Sequence, residues 1–250
     1  VGVPFSLSYN SERFRKGSAF NPVTLGLGGW SPDVVHHYDV TSQIVYYGHG
    51  GSRVIAAKKT TMGFQLADES GSEVYEFDLN GVHLQTRDSL SGVAKFEFSY
   101  DSSGRLLQIK DSFGNTSQFD YSNAQIQLVS PYGQASTFTL DANGFLSSVT
   151  NPKGESYFVT ADSLGQMTSF QKPGGQKSFV TYDEDGFVVK DQGAGGDSTS
   201  FLRQFDLTNM TQTVSSTSTL NRKTVYATSA SKSEDATRSV LTPDGRLATF

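Results

Sequence analysis

With 250 residues and a formal net charge of −5 at pH 7, the chain is long enough to bury a core, yet has no basic field with which to hold nucleic-acid phosphates or anionic lipid. It contains no cysteine, which removes disulfides and thiol chemistry. No apolar run approaches the ~20 residues that a membrane-spanning helix needs.

The chain opens at Val1 rather than Met and stops at Phe250, just past the turn Pro243-Asp244-Gly245-Arg246, which reads as a fragment or processed piece. Residues 1–55 differ from the rest of the chain. They carry the only Trp, in Gly28-Gly29-Trp30-Ser31-Pro32, and a run Ile44-Val45-Tyr46-Tyr47 ahead of Gly48-His49-Gly50-Gly51. This predicts an N-terminal capping β-segment. Within it, His36-His37-Tyr38-Asp39 is the most tempting metal cluster, but consecutive residues of a strand point to opposite faces, so His36 and His37 are poorly placed to share one ion. They read as packed or solvated strand residues, and His49 and His83 as isolated turn or surface residues.

Residues 56–206 are dominated by a hairpin unit of about 21 residues. Its clearest copies begin at Asp101, Asp141, Asp162 and Asp183, with an earlier one at Asp78 and a degraded one at Tyr121-Ser122-Asn123-Ala124. Each clear copy has an Asp-x-x-Gly turn. Asp accepts hydrogen bonds from turn amides, and Gly adopts positive φ at little cost. Before the turn, apolar residues alternate, as in Phe96, Phe98, Tyr100 and in Val180, Tyr182, which predicts a strand with one buried face. Phe98, Phe138, Val159 and Val180 are expected on the inner face of such a wall. After the turn the apolar positions fall two and five places beyond the Gly, as at Leu106 and Ile109, and this opposite parity predicts a β-bulge. A second turn comes about ten residues later, as in Asp111-Ser112-Phe113-Gly114 and Asn151-Pro152-Lys153-Gly154. Residues 207–250 are a Ser/Thr-rich continuation, read as polar, weakly packed strands.

Little points to chemistry. Asp183-Glu184-Asp185 is the densest acidic turn, but Ca²⁺ takes six to eight oxygens and the repeated aspartates are dispersed, so turn stabilisation accounts for them better. Gly48-His49-Gly50-Gly51-Ser52 and Gly193-Ala194-Gly195-Gly196 lack the Lys-Ser/Thr and following helix of a phosphate cradle. No Gly-x-Ser-x-Gly elbow or Ser/His/Asp set stands out. Asn115-Thr116-Ser117 and Asn209-Met210-Thr211 match the glycosylation pattern, which a Ser/Thr-rich chain produces readily. No catalytic, cofactor-binding or metal-binding residue is therefore assigned.

The segments Phe98-Ser99-Tyr100-Asp101-Ser102-Ser103-Gly104-Arg105-Leu106 and Thr181-Tyr182-Asp183-Glu184-Asp185-Gly186-Phe187 resemble the tyrosine-aspartate (YD) repeat of the Rhs and teneurin superfamily, over about residues 75–206. Pro4-Phe5-Ser6-Leu7-Ser8-Tyr9-Asn10-Ser11 and Gly28-Gly29-Trp30-Ser31 resemble the stretch that precedes such repeats in bacterial Rhs proteins. The resemblance implies a long sheet that spirals into a hollow shell, in many members enclosing a C-terminal toxin or presenting an adhesive surface. The sequence has no counterpart of the core motif around a cleaving Asp-Pro pair.

The expectation is thus an all-β fold of stacked β-hairpin repeats forming a spiralling, elongated sheet, part of a YD-repeat shell. The expected function is a structural segment of a secreted or cell-surface bacterial protein, without catalysis or cofactor. Its edge strands would dock on the remainder of the same polypeptide or a second subunit, with toxin cargo or glycan as further partners and neither nucleic acid nor a membrane span. The alternative is an adhesion module that binds glycan or protein.

Overall fold

The computed structural model describes residues 5–14, 25–230 and 236–250. Pro4, the first residue of the opening motif, and residues 231–235 of the Ser/Thr-rich stretch lie outside them. The described residues are strands joined by turns, with one 3-10 turn at Ser11–Phe14. They fall into two compact units, Val1–Gln166 and Met167–Phe250.

In the first unit, β1 (Leu7–Tyr9) pairs with β2 (Trp30–Pro32), and β3 (His37–Asp39), β4 (Ile44–Tyr46) and β5 (Ser52–Val54) form a three-stranded antiparallel sheet. Next comes a meander whose successive strands are antiparallel to one another: β6 (Lys58–Lys59), β7 (Phe64–Ala67), β8 (Glu73–Phe77), β9 (His83–Asp88), β10 (Ala94–Tyr100), β11 (Leu106–Asp111), β12 (Thr116–Ser122), β13 (Gln125–Val129), β14 (Ala135–Leu140), β15 (Leu146–Thr150) and β16 (Ser156–Ala161). The second unit repeats the pattern with β17 (Met167–Gln171), β18 (Lys177–Tyr182), β19 (Val188–Gln192), β20 (Ser198–Asp206), β21 (Thr211–Ser218), β22 (Lys223–Ala230), β23 (Ala236–Leu241) and β24 (Leu247–Thr249). The Ser/Thr-rich run around Thr213 is the interior of β21.

The Asp-x-x-Gly signature works as a self-contained clamp. In the turn at Asp101, Oδ1 accepts the amides of Ser103 and Arg105, both at 2.9 Å, while the Gly104 N–H donates to the Asp101 carbonyl at 3.0 Å. Asp78, Asp111, Asp141, Asp162 and Asp183 repeat this double acceptance, and Asn151 does so with an amide oxygen. These are Asx turns, set by the side chain two and four residues ahead of the amides it satisfies. The degraded copy is a tight hairpin instead, with Ser122 opposite Gln125.

The bulge lies at the residue after each post-turn apolar position. Ser99 pairs with Gln108 and Tyr100 with Leu106, so Leu107 is the extra residue. The same slip occurs in the hairpins of β8 with β9, β14 with β15 and β18 with β19. Because one residue is skipped, Leu106 and Ile109 face the same way despite their opposite parity, and both are fully buried. Full burial of such side chains stabilises by about 1.5–3 kcal/mol each.

In the first unit these positions form the core. Phe98, Phe119, Ile126, Phe138, Leu146 and Val159 are buried, and Phe5 lays its ring 5.6 Å from Phe119 and 6.1 Å from Phe138. A second cluster joins the sheet of β3 to β5 to the first hairpins through Tyr38, Val45, Tyr47, Leu66, Tyr75 and Phe77. The second unit is more open. Val180 is half-buried there, and Leu202, Leu241 and Leu247 are exposed on one register row that runs through Ser215 and Val225.

Candidate functional site

A cluster of buried histidine and tyrosine side chains lies where the segment from β2 to β5 meets the first hairpins. Two glycines permit that approach. The Tyr38 amide donates to the Gly81 carbonyl at 3.0 Å, and a Cβ on Gly81 would stand 1.7 Å from the Tyr38 oxygen. At Gly48 a Cβ would stand 2.1 Å from the Pro32 oxygen and 2.4 Å from that of Val35. Neither position tolerates a side chain without moving backbone. His37 also bridges Val82, and the Ser31 hydroxyl donates to the Gly48 carbonyl at 2.8 Å.

These contacts bring His36 onto His83. The rings stack with centroids 4.9 Å apart and planes 20° from parallel, and their relative exposures are 8% and 0%. A relay of hydrogen bonds passes through them. The Gly48 N–H donates to His36 Nδ1 at 3.1 Å, and the His36 N–H donates to His83 Nδ1 at 3.1 Å. His83 Nε2 lies 3.1 Å from the Gln85 carbonyl and 3.2 Å from Thr86 Oγ1. With Nδ1 accepting in both rings, the neutral tautomer carries its proton on Nε2, so His83 donates to Gln85. Tyr75 and Tyr47 pack edge-on to His36, and Phe77 and Phe98 flank His83. Burial, with a smaller contribution from His49, pushes His36 down to about 3, and burial and then His36 hold His83 well below the usual histidine range. Both rings are neutral at pH 7. The Tyr47 hydroxyl is buried without a hydrogen-bond partner.

The surface or turn position expected for His83 is thus overturned. His83 occupies the place two residues after a turn glycine, where Leu106, Leu146 and Met167 stand in other units, and the repeat turns that place into the core. His49 is exposed and stacks on Tyr47 at 5.3 Å. His36 and His37 are not brought together around one point: His36 meets His83, whereas Asp39 and Asp78 act on His37. Among the described residues no group of three or more His, Cys, Asp or Glu side chains is placed to hold a metal ion.

The other singled-out residues serve turns. Asp183 Oδ1 accepts the amides of Asp185 and Phe187, while Asp185 faces Arg203 at 3.5 Å. The Arg203 guanidinium lies 3.3 Å from the Phe187 ring centroid, a cation–π contact that fills this acidic turn with positive charge. Asn115 donates its side-chain N–H to Asp111 at 2.8 Å and Asn209 to Asp206 at 2.7 Å. Gly193 to Gly196 form the turn between β19 and β20. Chemically the joint is a neutral, amide-saturated imidazole stack, suited to holding two pieces of backbone together. No helix of the described residues is long and apolar enough to cross a membrane.

The family described as Teneurin YD-shell matches residues 61–250. Among solved structures, the crystal structure of TcdB2-TccC3 without its hypervariable C-terminal region is 12% identical over 70% of this chain and 13% of that chain, with a TM-score of 0.35. TcdB2-TccC3 itself is 12% identical over 71% of this chain and 14% of that chain, with a TM-score of 0.34. A Tc holotoxin pore of Photorhabdus luminescens, carrying a mutation in TccC3, is 11% identical over 88% of this chain and 18% of that chain, with a TM-score of 0.22. The chain therefore spans under a fifth of the length of these structures. No curated protein matches it.

Proposed function

The chain belongs to the teneurin YD-shell family, and from that premise we propose that it is a wall segment of a secreted or cell-surface bacterial Rhs-type protein that encloses or carries a C-terminal toxin or other partner, without catalysis of its own. The single observation that carries this reading is the run of bulged hairpins whose post-turn apolar residues Leu106, Ile109 and Leu146 are buried in the first unit. Main-chain bonds tie consecutive strands of each meander together, and Asx turns fix the register of the hairpins at Asp78, Asp101, Asp111, Asp141, Asn151, Asp162 and Asp183, which stiffens the sheet. The exposed register row of Leu202, Leu241 and Leu247 supports docking to more of the same polypeptide or to a second subunit.

The test uses the intact protein. A toxin or partner segment encoded with this chain is expected to resist protease while the hairpins are folded and to be digested once mild denaturant opens them. Equal digestion in both states would overturn enclosure.

A second reading, adhesion to glycan or protein, has one observation in its favour. Phe113 and Tyr132 are 86% and 66% exposed at the tips of two turns on the same edge of the sheet. Binding of intact protein to glycans or cells that is lost in the Phe113→Ala and Tyr132→Ala double variant supports that reading.

A further inference from the structure

The wall function leaves the buried imidazole stack at the joint unexplained, because a leucine in the His83 slot would satisfy the repeat. We propose that the His36–His83 pair is an acid-released latch, which holds residues 31–48 on the first hairpins while neutral and frees them when its rings are protonated. This holds whether or not the shell encloses cargo.

The latch rests on geometry. Each Nδ1 accepts a main-chain N–H, from Gly48 for His36 and from His36 for His83. An imidazolium carries a proton on both nitrogens, so protonation sets donor against donor in both bonds. It also puts two like charges 4.9 Å apart in a buried stack. The one offset is the Gln85 carbonyl at 3.1 Å from His83 Nε2, which favours the protonated ring but is outweighed by burial and His36. His36 faces Tyr47 and His49 from the segment after β4, Tyr75 from β8 and His83 from β9. His83 faces Tyr75 and Phe77 of β8 and Phe98 of β10, and its own strand adds the Gln85 carbonyl and the Thr86 hydroxyl. The charges that act on the pair are histidines, His49 on His36 and His36 on His83. The acidic groups of these elements act on other side chains: Asp39 and Asp78 on His37, Asp68 and Glu69 on Tyr47, Asp68 and Glu73 on Tyr75, and Asp78 on Tyr100. Arg53 likewise acts on Tyr47, with the opposite sign to Asp68 and Glu69.

The sign of the pH effect is fixed by these contacts. Both rings bind protons less readily when docked than when free, so docking is complete above the ordinary histidine value of ~6.5 and weakens as pH falls below it. Well below that value each ring contributes about tenfold per pH unit, and the pair about a thousandfold between pH 7.5 and 5.

Amide hydrogen exchange of the whole chain at pH 7.5 and 5.0, corrected for the intrinsic rate, reads the two donors directly. Protection at the Gly48 and His36 amides is expected to fall by about a thousandfold, while that of Phe138 in β14 falls tenfold or less. Unchanged protection at Gly48 and His36 overturns the latch, as does an equal loss at Phe138, which would be global unfolding. The His36→Asn and His83→Asn double variant places an Oδ1 acceptor near each Nδ1 position without a titrating ring. It is expected to keep pH-independent protection, and a wild-type fall in this variant also overturns the proposal. Should the variant not fold, the wild-type exchange decides alone.

Discussion

The Tyr100 hydroxyl donates to the main-chain carbonyl of His83 at 2.8 Å, across 17 positions of sequence. Tyr121 does the same to Leu106 at 2.8 Å and Tyr182 to Met167 at 2.9 Å. The acceptor is always the second residue after a turn glycine. For His83 and Leu106 this lies beyond the last register pair with the following strand, so the tyrosine completes a bond the ladder leaves open. Tyr100→Phe and Tyr121→Phe are each expected to cost about 1–3 kcal/mol in chemical denaturation, because a buried acceptor loses its partner. Tyr226→Phe, at a side chain 49% exposed, serves as the control and is expected to change little.

Two glycines separate conformational strain from steric closure. Gly144 sits at φ +83 with open space around it, so Gly144→Ala is expected to cost about 1–2 kcal/mol from the left-handed backbone alone. Gly81 has a similar φ but lies against the Tyr38 carbonyl, and Gly81→Ala is expected to dislodge β3 and the strands paired with it. Emission of Trp30, the only tryptophan, reads that loss. Equal thermal shifts for the two variants, with Trp30 unmoved, would show that the closure is unimportant.

What the sequence discloses here is local physics. Asp101 and Gly104 lie three residues apart, and their spacing defines a turn whose bonds never leave five residues, so the hairpins, their order and even the bulge are legible without coordinates. The joint is not legible in the same way, because His36 and His83 are 47 residues apart and nothing local brings them together. One signal was present: His83 stands two places after Gly81, in the slot filled by Leu106 and Leu146 elsewhere. A polar residue in an apolar slot of a repeat marks a place where something other than packing is at work.

The bulge makes a sharp claim about neighbours. Leu106 is fully buried and Leu107, the extra residue, is 39% exposed. Leu106→Ala is expected to destabilise the first unit by about 2–5 kcal/mol. Leu107→Ala is expected to remain within about 0.5 kcal/mol of the parent. Urea denaturation of both variants checks this, and a reversed order would mean that the register slips one residue elsewhere.

Tyr47 supports a prediction of opposite sign. Its buried hydroxyl has no hydrogen-bond partner, while its ring packs on His36 and His49. Tyr47→Phe keeps the ring and removes the unsatisfied group, so it is expected to leave stability unchanged or raise it by about 1 kcal/mol. A clear fall in melting temperature would mean that the hydroxyl has a partner in solution.

Two of the turn aspartates, Asp101 and Asp111, give the first unit its own acid response, separate from that of the histidines. The Arg105 amide, followed by the Arg105 side chain and the Ser103 amide, holds the Asp101 carboxyl below its ordinary range. The Asn115 side chain leads the same effect on Asp111. A carboxyl lowered in the folded state contributes stability that is whole above the unfolded value of ~3.9 and is lost as pH falls through the folded value. Melting temperature is therefore expected to drop steeply below pH 4, after any loss from the histidine joint between pH 6.5 and 5. Asp101→Asn isolates the cause, since Asn151 already clamps the Lys153 and Glu155 amides at 2.9 and 3.0 Å with an uncharged oxygen. The variant is expected to fold at pH 7 and to lose less stability than the parent between pH 4 and 2. If its acid slope matches the parent's, Asp101 is not among the groups that set the acid limit.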